Sequence, residues 1–229
     1  LVFYNAYLPV IASPGRYDMV SARGYSLGYV GSVILLLINL LMISKPEMFF
    51  LSDGGMAARV SFAMVGVWWI GFAQIPFYHL PGDRRTDESW QRLVARGYRE
   101  LRMVWNSLER LPMLKRFLGA FFLYNTGVQT VIYLATLFGS KTLNLSGDKL
   151  IMTILIIQVV AIGGSYLFAW ISGIRGNRTA LIIMVMIWTG ICIYAYSIHT
   201  ALQFYALAFV VGLVLGGIQS LSRATYSKF

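Results

Sequence analysis

Residues 149–172 read KLIMTILIIQVVAIGGSYLFAWIS and carry one charged residue, Lys149, at their first position. The stretch is apolar on every face of a helix, whereas a helix on the surface of a soluble domain has one apolar and one polar face. A helix of about 20 such residues can cross the hydrocarbon core of a bilayer. This stretch therefore predicts a membrane-spanning helix.

Five more stretches of the same kind occur in the 229 residues, and none carries Asp, Glu, Lys or Arg away from its ends. The composition agrees, because 58% of the residues are hydrophobic, 12% are charged and the mean hydropathy is +0.66. These values lie far from those of soluble domains. We expect an all-α polytopic membrane helix bundle with a short apolar stub at 1–9 and six full spans, at 24–43, 58–80, 117–138, 149–172, 180–199 and 203–222.

The net charge of +10 is unevenly distributed between the connections of these spans. If successive connections alternate between the two sides, one side receives 15 of the 19 Lys and Arg residues. Basic residues in short loops remain in the cytoplasm, so this side is expected to be cytoplasmic. The charge then reports topology and not a nucleic-acid partner. The expected cytoplasmic segments are 12–23, 82–116, 173–179 and 223–229.

The polar segment 82–116 is expected to link two parts of the chain, 1–81 and 117–229. Its apolar residues recur at steps of three or four or their multiples, and its arginines mostly occupy the other faces; the apolar positions are Trp90, Leu93, Leu101, Val104, Leu108 and Leu111. The pattern predicts an amphipathic helix on the cytoplasmic membrane surface, with a basic face that favours anionic headgroups. The plainer interpretation is a linker helix, and a regulatory or lipid-sensing role is the alternative.

Polar residues form a stripe on the span 117–138. Asn125 and Gln129 are one turn apart, and Tyr133 and Thr136 continue the same side of the helix. Amides in hydrocarbon are costly without partners, so the stripe is expected to face protein or a water-filled cavity. An amide pair can donate to a carboxylate and accept from an ammonium group, which suits a zwitterion or a polyol. Hydrogen bonding that merely holds the bundle together is the equal alternative.

Other spans offer weaker candidates. Tyr25, Gly28 and Gln158 are expected to line a substrate path, although each is an ordinary packing residue in the plainer interpretation. Small residues let helices approach closely, and a proline inside a span kinks it. The expected packing or gating residues are Gly24, Gly31, Pro76, Gly212, Gly216 and Gly217.

Catalytic and metal-binding motifs are missing from the sequence. It has no His-Glu-x-x-His, no Gly-x-Ser-x-Gly and no phosphate-binding Gly-rich loop. His79 and His199 lie at span ends on opposite sides, and the one cysteine, Cys192, lies within an apolar span. We therefore expect no enzyme, no metal site and no cofactor.

Three runs resemble the autophagy-related vacuole effluxer family, a branch of the major facilitator superfamily. They are FYNAYLP at 3–9, SARGYSLGYVG at 21–31 and GGIQSLSRATYS at 216–227. The resemblance implies the end of helix four through helix ten of a twelve-helix transporter in a bacterial inner membrane, with the missing helices of the same protein as partners. It also implies cytoplasmic loop contacts by Arg23, Gly176, Arg178 and Arg223, although Gly173 stands where the superfamily motif commonly has Asp.

The function implied by this resemblance is secondary active transport of a small polar solute by alternating access. Eukaryotic members are associated with amino-acid export from the vacuole, so amino acids are the leading solute class. Helix seven of the superfamily commonly lines the central cavity, which favours Asn125 and Gln129 as substrate contacts. The rival hypothesis is a non-transporting membrane scaffold or receptor that acts through segment 82–116.

Overall fold

The computed structural model describes residues 6–79 and 90–229, and these ranges contain helices and no strand. Short 3₁₀ turns at Pro14–Arg16, Pro46–Phe49 and Leu108–Arg110 connect some of the helices. The α-helices are α1 (Leu8–Ile11), α2 (Tyr17–Ser44), α3 (Gly54–His79), α4 (Trp90–Ser107), α5 (Pro112–Lys141), α6 (Gly147–Arg175), α7 (Asn177–Ala195) and α8 (Ala201–Tyr226).

Six helices of the described ranges are long and apolar enough to cross a membrane: α2 together with its preceding turn, α3, α5, α6, α7 and α8. The prediction of an all-α membrane helix bundle with six spans is confirmed. The predicted boundaries shift by a few residues at the ends of every span, and the largest shifts are at the starts of α2 and α5. α2 extends to Tyr17 because polar groups of other helices satisfy Asp18 near its start, α5 begins at Pro112 because proline suits a first helical turn, and α7 ends at Ala195.

The predicted amphipathic helix of segment 82–116 is present as α4, Trp90–Ser107. Leu108 lies in the 3₁₀ turn that follows, and Leu111 ends that turn, so these two residues do not extend the helix. Residues 80–89, and residues 1–5 of the predicted stub, lie outside the described residues.

The chain divides into two compact units, and the division falls inside α2. Unit 1 comprises Leu1–Val33 and Met113–Phe229, and unit 2 comprises Ile34–Pro112. The sequence-based domains 1–81, 82–116 and 117–229 remain a prediction. In unit 1, α8 packs closely against both α6 and α7, and the core includes Phe168, Met184, Trp188, Val214 and Leu221.

Unit 2 contains the second half of α2, α3 and α4. Met42 and Ala57 are almost completely buried, but most of the large apolar side chains of α3 are exposed, such as Phe62 and Trp69. Pro76 lies inside α3, which continues to His79. An exposed apolar surface of this length is what a bilayer or further helices cover.

Candidate functional site

A cavity of about 330 Å³ lies between α2, α5, α6 and α8 in unit 1. Its size is at the lower end of small-molecule pockets. Most of the lining side chains are aliphatic or aromatic, and the polar ones are Tyr29, Thr136, Thr153 and Gln158. Among the described residues, no charged side chain lines it. The cavity therefore offers hydroxyl and amide groups within apolar walls.

The cavity lies toward the N-terminal ends of α6 and α8. Its lining on α6 runs from Leu150 to Gln158, and its lining on α8 runs from Phe204 to Leu215. These ends carry the connections α5–α6 and α7–α8. The opposite ends of α6 and α8 hold polar contacts instead.

Tyr29 links the cavity to α8. Its hydroxyl donates a hydrogen bond of 2.7 Å to Oε1 of Gln219, and the tyrosine ring also lines the cavity. Both partners are partly buried within apolar spans, where an unpartnered hydroxyl or amide is costly. This pair fixes one side chain of the cavity wall.

Two serines of α2 form further hydrogen bonds between helices. Ser26 Oγ donates to the carbonyl oxygen of Ile162 at 3.2 Å, and Ser21 Oγ donates to that of Ser220 at 2.7 Å. Both hydroxyls are buried. The first half of α2 is thus hydrogen-bonded to α6 and to α8 along its length.

A cluster of polar side chains, which we call the Asp18 cluster, completes this end of unit 1. Ser172 Oγ and Asn177 Nδ2 donate to the Asp18 carboxylate at 3.1 and 2.8 Å. Lys228 Nζ forms an ion pair with the same carboxylate at 2.9 Å and donates to Asn177 Oδ1 at 2.6 Å. Asn177 also donates to Thr225 Oγ1 at 3.1 Å. The cluster joins α2, α6, α7 and the end of α8 far from the cavity.

Glycines bring the backbones of α6 and α8 into direct contact. A Cβ at Gly212 would lie 2.6 Å from the carbonyl oxygen of Ile157, and one at Gly216 would overlap that of Ala161. A Cβ at Gly164 would overlap the carbonyl oxygen of Leu213. No side chain separates the two helices at these levels.

The predicted path residues are distributed unevenly around the cavity. Thr136 and Gln158 line it, whereas Asn125, Gln129, Tyr133, Tyr25 and Gly28 are not among its lining residues. Asn125 and Tyr25 are half-buried, and Gln129, Tyr133 and Gly28 are exposed.

The glycines and arginines predicted as packing or loop residues differ in their close contacts and in their burial. A Cβ at Gly217 would overlap the side chains of Phe168 and Met184, whereas one at Gly31 would meet nothing within 4 Å. Gly24 is half-buried. Gly176 has a φ of +80°, which disfavours any residue with a Cβ, and it separates α6 from α7. Arg223 is buried, and Arg23 and Arg178 are exposed.

The whole chain, residues 1–229, matches the family model described as "Vacuole effluxer Atg22 like". The chain belongs to the Atg22-like vacuole effluxer family. The family resemblance seen in the sequence is thereby confirmed.

Three curated relatives of this Atg22-like chain illustrate the match. It is 31% identical to the uncharacterized MFS-type transporter YxiO of Bacillus subtilis, over 99% of this chain and 53% of that protein. It is 25% identical to Autophagy-related protein 22-1 of Penicillium rubens, over 91% of this chain and 38% of that protein. Identity to Autophagy-related protein 22 of Eremothecium gossypii is also 25%, over 95% and 45%.

The Atg22-like chain thus spans about half the length, or less, of these relatives. No solved structure matches it significantly. The cavity and the Asp18 cluster are therefore described from the structure of this chain alone.

Sequence reasoning missed Tyr29, Gln219 and Asp18 in this Atg22-like chain. Each had a signal. Tyr29 and Gln219 are polar residues within apolar spans, and Asp18 is the single acidic residue of the basic segment 12–23.

Tyr29→Phe is expected to destabilise the protein by about 1 kcal/mol, because it removes the hydrogen bond to Gln219 and leaves a partly buried amide oxygen without its donor. The measurement is the midpoint of unfolding in detergent. Tyr133→Phe is the control, because Tyr133 is exposed on α5. Equal midpoints for the two variants would contradict the role assigned to the Tyr29 hydroxyl.

Proposed function

We propose that this chain is part of a secondary active transporter that moves a small polar solute across a membrane by alternating access, with amino acids as the leading solute class. Membership of the Atg22-like family and the similarity to an MFS-type transporter support transport and disfavour an enzyme. The observation that carries the proposal is the cavity at one end of unit 1 and the hydrogen-bonded Asp18 cluster at the other.

Alternating access requires a site that is reachable from one side of the membrane while the other side is closed. The cavity lies toward the ends of α6 and α8 that carry the connections α5–α6 and α7–α8. Toward their opposite ends, α2 is tied to α8 through Ser21 and to α6 through the Asp18 cluster. Ser26 ties α2 to the middle of α6, at Ile162. This arrangement corresponds to a state that is closed at the Asp18 end.

The orientation follows from the charges. Segments 12–23, 82–116, 173–179 and 223–229 are proposed to be cytoplasmic, and the membrane is proposed to be a bacterial inner membrane. The Asp18 cluster, which includes Asn177 and Lys228, then closes the cytoplasmic end. The cavity accordingly belongs to an outward-facing state.

The lining of the cavity favours a solute of no net charge. A zwitterionic or polyol solute would find the Tyr29 and Thr136 hydroxyls and the Gln158 amide, which can donate as well as accept. The apolar walls would take the remainder of a small solute. Asn125, Gln129, Tyr133, Tyr25 and Gly28 are proposed as path residues used in other states of the transport cycle.

Gln158→Leu is expected to lower solute uptake on the order of tenfold, because it removes the amide from the cavity at nearly constant volume. The measurement is uptake of labelled amino acids by vesicles that contain the full-length protein. Gln74→Leu is the matched control, since Gln74 is exposed on α3 in unit 2 and hydrogen-bonds only within its own helix. Equal uptake by the two variants would remove Gln158 from the site.

The predicted stripe on α5 has its own test in the same assay. The double variant Asn125→Ala with Gln129→Ala should transport poorly, and wild-type uptake would reject both as substrate contacts. A full-length protein that neither transports nor is stabilised by any amino acid or polyol would favour the scaffold hypothesis.

A further inference from the structure

Helix α4 carries an apolar face whose side chains are exposed. Leu93, Val94, Tyr98, Leu101, Val104 and Trp105 share this face at about 100° per residue. The exposed fractions reach 71% for Tyr98, 71% for Leu101 and 74% for Trp105. α4 packs mainly against the 3₁₀ turn that follows it. An apolar surface of this extent indicates a binding partner.

The opposite face of α4 is basic. Arg92, Arg99 and Arg102 are exposed there, and Arg96 forms an ion pair of 3.1 Å with Glu100 one turn later. Glu100 is the one acidic residue of the helix against four arginines. A helix with one strongly basic and one apolar face suits the interface of a bilayer, where arginines reach lipid phosphates and apolar side chains enter the acyl boundary.

The chain also places α4 beside a membrane. Only the residues between Ser107 and Pro112 separate it from α5, a candidate spanning helix. Ser107 and Pro112 are five positions apart, and five extended steps reach about 18 Å at most, so the end of α4 cannot leave the surface from which α5 starts. Tethering raises the effective concentration of that surface for α4. A lipid partner is therefore always within reach.

We propose that α4 is a surface anchor that binds the anionic phospholipids of the leaflet from which α5 starts. Leu93, Leu101 and Trp105 enter the acyl boundary, and Arg92, Arg99 and Arg102 bind the phosphates. Because α4 lies between α3 and α5 along the chain, the lipid charge of this leaflet would influence the position of that connection.

The test measures the surroundings of the two faces in the full-length protein. A spin label is attached to Leu101→Cys or to Met103→Cys, each in a Cys192→Ala background. Leu101 and Met103 lie two residues apart, on nearly opposite faces of α4, and both are exposed. The vesicles are phosphatidylcholine with or without phosphatidylglycerol. Collisions with oxygen report lipid around the label, and collisions with a soluble nickel chelate report water.

With phosphatidylglycerol, the label at 101 should meet oxygen and the label at 103 should meet nickel. Without it, both labels should meet nickel more often. If lipid composition leaves the label at 101 unchanged, the proposal is wrong. It is equally wrong if neither reagent reaches that label, because a protein segment then covers the face.

The role of the arginine charges is tested by comparing neutral with charged substitutions. Each arginine near an anionic surface contributes about fivefold, so Arg92→Gln, Arg99→Gln and Arg102→Gln together should weaken docking on the order of 100-fold. The matched triple lysine variant should retain docking, because it keeps the charge. A glutamine variant that docks as well as the lysine variant would contradict the role of charge.

Discussion

Gly164→Ala is expected to destabilise the protein by about 3 kcal/mol or more, a large effect for the addition of one methyl group. The added Cβ would overlap the carbonyl oxygen and Cα of Leu213 on α8. Backbone atoms cannot rotate away as the end of a side chain can, so α6 and α8 must separate along their whole contact. That separation also exposes the neighbouring contacts at Gly212 and Gly216.

The control for this variant is the preceding residue. Gly163→Ala adds the same methyl group to α6 where nothing lies within 4 Å. It should be neutral or slightly stabilising, because alanine favours a helix more than glycine does. The midpoint of unfolding in detergent and the yield of monodisperse protein measure both variants. If Gly163→Ala and Gly164→Ala behave alike, the close contact of α6 with α8 is not present in the protein.

Ala135→Trp is expected to reduce solute uptake on the order of tenfold or more without unfolding the protein. Ala135 lines the cavity on α5, together with Thr136 and with apolar residues of other helices such as Ile154 and Phe204. An indole at this position would take up part of the cavity of about 330 Å³ and leave less space for a solute. Because the walls are mostly apolar, they can accept the ring at little cost to stability.

Ala120→Trp is the matched control, since Ala120 is exposed on the same helix and does not line the cavity. Uptake by vesicles is compared with the unfolding midpoint of each variant. A cavity variant that folds normally and transports like the control would show that the solute does not pass through this space. That result would count against the proposed outward-facing state.

The spans could be predicted from the sequence because each one is a local property of about 20 successive residues. Membership of the family followed from short motifs, such as residues 21–31 and 216–227. The Asp18 cluster could not be predicted in this way. Lys228 and Asp18 are 210 residues apart, and no local periodicity relates two positions at that separation.

The rotation of each helix about its own axis could also not be predicted from the sequence. The predicted stripe of Asn125, Gln129, Tyr133 and Thr136 shares only Thr136 with the cavity lining, whose other residues on α5 are Val131, Ile132 and Ala135. At about 100° per residue, that face lies roughly a quarter turn from the stripe. The rotation of α6 about its axis likewise decides which of its glycines contact α8. Gly164 does and Gly163 does not, although the two are adjacent.

The long separations within unit 1 have a consequence for biosynthesis. Ser21 reaches its acceptor only at residue 220, after 199 further residues have been synthesised. At about 5–20 residues per second, this interval is about 10–40 s. During that time the Ser21 hydroxyl lacks its acceptor on α8 and can donate only to closer groups, such as a carbonyl oxygen one turn earlier in its own helix. The contact of the first half of α2 with α8 therefore forms late in synthesis, after α3, α5, α6 and α7 have already entered the membrane.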